Sequence, residues 1–228
     1  MSTPFLSPDK DPGVFEVSTL SNGIRVYHRK AEQAFGLPKI ACSALVNVGG
    51  RDDPKDKEGT AHFFEHMPFR GTKHFPSLHD LTYAIEQNGG YINAFTTDES
   101  TGYEVTVPSS MLEEGVKRVA DMLLFPVLRQ SDVDTERNII LEEFRNKWAS
   151  VFFFAQRELY QGLLGDHPLV HAVIGTEAAL QSIQPDDLKA FHSRYYNSRN
   201  INLFFAGTYD IKDLLAVCEQ YFGAIPAG

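Results

Sequence analysis

An α+β fold, a largely antiparallel sheet with helices packed on it, is what this 228-residue chain predicts. Three features carry that expectation. Strand-length runs with alternating apolar residues occur early, in the middle and late. Helical stretches separate them. Two pairs of these runs are joined by short turns, which suit antiparallel neighbours.

Taken in order, residues 1–13 contain Pro, Asp and Ser and read as a flexible N-terminal tail, leaving 14–228 as a single domain. Residues 14–20 and 24–29 alternate, with Ser21-Asn22-Gly23 between them. Asn-Gly supplies the positive φ angles of a tight β-hairpin. Residues 39–48 form a third strand, closed by Gly49-Gly50, and a charged loop over 51–58 leads to a short helix. Pro68 lacks an amide hydrogen and should end or kink that helix. Ser77 caps a helix running to Gln87, with Asp80 in its first turn and Gly89-Gly90 after it. Residues 91–97 and 102–107 are strands joined by an acidic turn. Pro108-Ser109-Ser110 opens a helix that Pro126 terminates.

The stretch 131–164 reads as helix, long for a globular protein, so a break is expected near 149–154. Residues 165–168 form a loop. Pro185 starts a helix to Tyr196, residues 201–206 form a strand, and Asp210 caps a final helix to Phe222. There is no internal repeat and no low-complexity segment.

Composition narrows the function. The net charge is −9, which argues against a nucleic-acid partner; it weakly favours basic ligands. Cys42 and Cys218 each lie in an apolar run and read as buried free thiols. No apolar run approaches the ~20 residues of a membrane span. Residues 1–13 have neither an apolar core nor arginines, so no signal or transit peptide is visible and a cytoplasmic location is expected.

The most informative stretch is Gly59-Thr60-Ala61-His62-Phe63-Phe64-Glu65-His66-Met67. At about 100° per residue, His62 and His66 lie about 40° apart around a helix and one turn apart along it. Two imidazoles so placed can point at one ion. Glu65 borders the same site without having to be a ligand. H-x-x-E-H is the inverted form of the H-E-x-x-H zinc helix. A solvated helix face is the bland alternative, but the apolar neighbours Ala61, Phe63 and Phe64 make a poor setting for three unpartnered polar groups.

Catalytic zinc usually has three protein ligands and one open position. The best source of a third is the stretch 136–143, where Glu136 and Glu143 share one helix face with Ile139 and Ile140 on either side. That pattern suggests buried carboxylates needing a cation or strong donors. Either glutamate could be the ligand, whereas Glu142 points away and reads as a surface residue. His167 and His171 are also four apart, but Pro168 lies between them and a loop is the better reading. His28, His74, His79 and His192 are isolated and read as structural or surface residues.

Together these residues resemble the pitrilysin, insulin-degrading enzyme and mitochondrial processing peptidase family of zinc metallopeptidases. The resemblance rests on His62-Phe63-Phe64-Glu65-His66 with Glu143 77 positions after His66, and it covers most of the chain. Leu20-Ser21-Asn22-Gly23 resembles the family's opening hairpin. Gly49-Gly50-Arg51-Asp52 and Met67-Pro68-Phe69-Arg70-Gly71-Thr72 resemble the approach to and exit from its zinc helix. Residues 89–96 resemble its substrate-holding strand, and Gly175-Thr176, Tyr195-Tyr196 and Ala206-Gly207 resemble later landmarks.

The resemblance implies one zinc per chain held by His62, His66 and Glu143, Glu65 as general base, and Glu136 supporting the site. It also implies that Asn93, Ala94 and Phe95 lie beside an extended peptide substrate that joins the sheet edge. Pro68 departs from the apolar residue many members carry, so the helix end should differ slightly. Members usually have a second such domain, which contributes an Arg and a Tyr that grip the substrate; nothing here matches them. The expectation is a zinc endopeptidase domain that a second homologous domain, a subunit or another copy completes. A piece of a longer chain, a separate subunit and a processed product would all fit. The alternative is a catalytically silent structural or peptide-binding subunit.

Overall fold

In a computed structural model that describes residues 15–31 and 38–228, six strands form one sheet. They are β1 (Glu16–Thr19), β2 (Arg25–Lys30), β3 (Lys39–Val46), β4 (Tyr91–Thr96), β5 (Thr101–Pro108) and β6 (Ile201–Gly207). Their spatial order is β1-β2-β6-β3-β5-β4. Only the β2–β6 pairing is parallel. The sheet is therefore largely antiparallel, as expected. The tail read over residues 1–13, and Val14 of the first predicted strand, lie outside the described residues.

Alternation gives the sheet two unlike faces. Val26, Ile40, Cys42, Ala44, Val46, Tyr103, Val105, Leu203 and Phe205 are buried, while their neighbours Tyr27, Ala41, Ser43, Glu104 and Phe204 are exposed or half-buried. A side-chain period of two puts the first set on one face and the second on the other. Helices lie on the buried side, some packed on the sheet and the rest on other helices. They are α1 (Thr60–His66), α2 (Leu78–Glu86), α3 (Leu112–Leu124), α4 (Gln130–Trp148), α5 (Val151–Leu164), α6 (Glu177–Ser182), α7 (Pro185–Tyr195) and α8 (Ile211–Phe222). Both cysteines are buried and unpaired.

The opening hairpin forms with a three-residue loop. Leu20 and Ile24 close it, the Leu20 amide donating to the Ile24 carbonyl at 2.9 Å. Gly23 takes the positive φ, +91°, but Asn22 does not. Asn22 instead donates from its side chain to the carbonyls of Phe222 (2.8 Å) and Ile225 (3.1 Å), tying the turn to the last helix.

The expected break in the long helix falls at Ala149–Ser150, where the Ser150 hydroxyl caps α5. Helix α6 was not anticipated; it has only six residues, with Thr176 as its cap. Helix α1 packs beneath β4 and β5. Since β4 is the last strand of the sheet, the histidine helix lies next to an open edge.

Candidate metal centre

Helix α1 is fixed before its histidines are reached. Asp53, in the charged loop ahead of it, accepts hydrogen bonds from the amides of Gly59 (2.6 Å) and Ala61 (2.8 Å). These amides have no partner inside the helix, and a carboxylate there is also favoured by the helix dipole. Phe63 and Phe64 are fully buried and set the rotation of the helix. The other face then carries His62, Glu65 and His66. After His66 the chain tightens into a 3₁₀ turn over Met67–Arg70, with Pro68 near its start. The helix thus ends as the proline predicted, and the turn carries Arg70 toward α4.

His62, His66 and Glu143 converge. The two Nε2 atoms are 3.3 Å apart, and Glu143 Oε2 lies 3.6 Å from His62 Nε2 and 3.8 Å from His66 Nε2. A point equidistant from these three atoms is about 2.1 Å from each, within the 2.0–2.2 Å of zinc–nitrogen and zinc–oxygen bonds. Among the described residues this is the one group of three such side chains close enough to hold an ion. The donor set, two imidazoles and a carboxylate, suits zinc.

The surroundings prepare these atoms. His66 Nδ1 lies 2.7 Å from Glu136 Oε1, and a carboxylate can only accept, so Nδ1 carries the hydrogen and Nε2 is the nitrogen turned toward His62 and Glu143. Glu136 is buried and its other oxygen accepts from Arg70 Nε. Burial alone would raise the Glu136 pKa, but these two bonds outweigh it and hold the carboxylate below its usual range. Burial, then the neighbouring His66, pushes the His62 imidazole well below the ordinary histidine value, which keeps it neutral. His62 Nδ1 is buried without a protein partner.

Glu143 is half-buried and divides its oxygens. Oε2 faces the histidines, and Oε1 lies 3.0 Å from Lys147 Nζ. Glu65 is buried, and the Thr96 hydroxyl donates to its Oε2 at 2.7 Å. Burial pushes the Glu65 pKa up against that bond. Its carboxyl is thus a readier proton acceptor than a solvated glutamate.

Asn93, Ala94 and Phe95 lie on β4, as expected. Asn93 is exposed, Ala94 is buried toward the helices, and Phe95 is half-buried. β4 pairs with β5 on one side, and among the described residues no strand joins its other side.

The structure corrects one inference. Ile140 is buried but Ile139 is 45% exposed. The isoleucines therefore signalled the burial of Glu136 correctly, and Glu143 is more open than they suggested. Glu142 is exposed, as read. The remaining histidines have other partners. His28 sits between Ser18 and Tyr209, His74 binds Asp121, His79 stacks on Tyr83, and His192 meets the Leu123 carbonyl. His167 and His171 flank a 3₁₀ turn.

Four contributing residues were not singled out from sequence: Asp53, Arg70, Thr96 and Lys147. Lys147 alone left a local signal, being one helical turn beyond Glu143. Arg70 and Thr96 act across tertiary contacts, and Asp53 reaches the helix start from six to eight residues before it.

The family described as Insulinase (Peptidase family M16) matches residues 35–177, and the peptidase M16 inactive domain matches residues 182–228. An uncharacterized zinc protease of Mycobacterium leprae is 32% identical over 91% of this chain and 46% of its own length. Human cytochrome b-c1 complex subunit 1 is 30% identical over 92% of this chain and 43% of its own. The crystal structure of a protease from Helicobacter pylori superposes with a TM-score of 0.86 at 24% identity, covering 93% of this chain and 51% of that one. The chain spans about half the length of each of these three.

Proposed function

The chain belongs to the insulinase family, peptidase family M16, and from that membership we propose that it is a zinc-dependent endopeptidase domain acting on extended or unfolded peptides. The observation that carries this reading is the triangle of His62 Nε2, His66 Nε2 and Glu143 Oε2, whose spacing suits one zinc. When bound there, zinc would activate water and polarise the scissile carbonyl.

The chain's own residues supply the rest. Glu65, oriented by Thr96, takes the proton of the attacking water and passes it to the leaving amine. Glu136 keeps the His66 proton on Nδ1. The free edge of β4 offers backbone donors and acceptors to an extended peptide, with Asn93, Ala94 and Phe95 beside it. Residues 14–228 act as one catalytic domain on this reading, and a second homologous domain, subunit or copy completes the substrate chamber.

Two measurements test the proposal. Metal analysis should find about one zinc per chain, abolished by His62→Ala. Peptide hydrolysis should be lost in Glu65→Gln with zinc retained. Cleavage by Glu65→Gln at the wild-type rate would remove Glu65 as the base. A second reading, a catalytically silent structural or peptide-binding subunit, is favoured by the similarity to a relative named as a subunit of the cytochrome b-c1 complex. A well-folded protein that takes up no zinc would support that reading instead.

A further inference from the structure

We propose that Lys147 is a positioning residue that holds Glu143 to a single oxygen at the metal site. The inference rests on the zinc reading above. A carboxylate can meet a metal ion through one oxygen or both, and the second mode consumes an additional coordination position. With water in the fourth position, a second carboxylate oxygen would make the site five-coordinate and weaken the ion's pull on that water. Glu143 has Oε2 on the histidine side, and the Lys147 ammonium stands on Oε1 at 3.0 Å. A charge-assisted hydrogen bond on Oε1 competes with the ion for that oxygen.

Helical spacing enforces the arrangement. Lys147 is four residues beyond Glu143 on α4, so the two side chains lie on one face whenever the helix forms. The other glutamate on this face is divided in the same way. Glu136 gives one oxygen to His66 and the other to Arg70. Glu136 and Glu143 therefore each have a cation on the oxygen that does not serve the histidines. An exposed i,i+4 ion pair ordinarily adds little to stability and needs no function. Here the acid of the pair is also the third corner of the metal triangle.

Cobalt(II), which can replace zinc in such donor sets and absorbs visible light more strongly with four ligands than with five, tests this directly. Wild type should bind one cobalt per chain with the strong four-coordinate absorption. Lys147→Met, nearly equal to lysine in helix propensity, should leave metal-free unfolding close to wild type. It should weaken the absorption as the second oxygen joins, without weakening zinc binding in chelator competition. Peptide turnover should fall about tenfold. Lys147→Arg should restore the wild-type spectrum. An unchanged spectrum in Lys147→Met would overturn the proposal, as would weaker zinc binding with the same spectrum. Failure of wild type to take up cobalt would instead sink the metal reading, and this inference with it.

Discussion

Glu136 governs His66 through one hydrogen bond and is itself governed by Arg70. In Glu136→Gln the amide can still accept from His66 Nδ1, but its NH₂ then faces the Arg70 guanidinium, donor against donor. Flipping the amide moves the conflict to His66. We expect zinc affinity to fall about 10–100-fold, read by competition with a chelator; unchanged affinity would show that Glu136 does not set the His66 tautomer. Thr96 acts on Glu65 by the same logic. Thr96→Val keeps the shape and removes the donor, so the buried carboxyl loses its orienting bond. We expect kcat/KM to drop about tenfold, equal to about 1.4 kcal/mol, with zinc content intact. Thr96→Ser should recover most of the activity. Rates in Thr96→Val equal to wild type would mean that packing alone orients Glu65. At this scale the sequence was legible where spacing along one helix decides the geometry. His62 and His66 follow from a separation of four, and Glu136 and Glu143 from a separation of seven. Arg70, Thr96 and Asp53 were illegible because each meets its partner in three dimensions.

Helix α1 carries the site only if its start is held, and the neighbouring elements hold it. Gly175, just before α6, has φ +80°, and a Cβ there would come within 2.1 Å of the Glu58 carbonyl. Gly175→Ala therefore forces apart the two segments that position the α1 N-terminus. We expect a loss of about 2 kcal/mol or more by urea unfolding, and a loss under about 0.5 kcal/mol would refute this. On the other side, Asp187 at the start of α7 accepts from the Gln184 amide and from Lys57, both at 2.8 Å, and Lys57 also reaches the Ser182 carbonyl. Burial works to raise the Asp187 pKa, but Lys57 and the Gln184 amide outweigh it and lower it from 3.8. A lowered folded pKa means stability that is complete above the unfolded value and lost as pH falls through the folded one. Asp187→Asn keeps a side-chain oxygen for the Gln184 amide and loses the charge facing Lys57, so it should cost about 0.5 kcal/mol at pH 7, the size of a partly exposed ion pair. The gap from wild type should close below about pH 4 in urea unfolding across pH; a gap independent of pH would assign it to the cap geometry alone. Element types and ends were largely legible, because Asn-Gly, Ser77, Pro68, Pro126 and Asp210 are local punctuation. The six-residue α6 is too short for any periodicity, and only tertiary contact secures it.

Strand order is the feature that local pattern could not supply. The β2–β6 pairing joins Val26 to Leu203, and β6 then separates β2 from β3. Alternation predicts that such strands are half-buried and says nothing about which neighbour each one takes. The consequence for the proposed function is that β4 is left at an edge beside α1, so the proposed substrate strand and the candidate metal helix are adjacent although the strand begins 25 positions after His66. Whether this arrangement turns over peptide unaided is a question about the whole molecule. Among the described residues no helix packs on one face of the sheet, the chain spans about half the length of these relatives, and the family resemblance implies an Arg and a Tyr from a second domain that nothing here matches. On that basis metal binding, which uses groups within one chain, should be independent of protein concentration. Turnover should depend on it. If a second copy supplies the missing contacts, specific activity rises with concentration by mass action and then saturates, while zinc per chain stays near one. If a different chain supplies them, specific activity stays low and flat until that partner is added. Specific activity measured across a wide concentration range, with the mass of the species followed by light scattering, separates these outcomes. Full activity, constant with dilution, from a species of monomer mass would refute the need for a second half and make the His62–His66–Glu143 domain a complete peptidase.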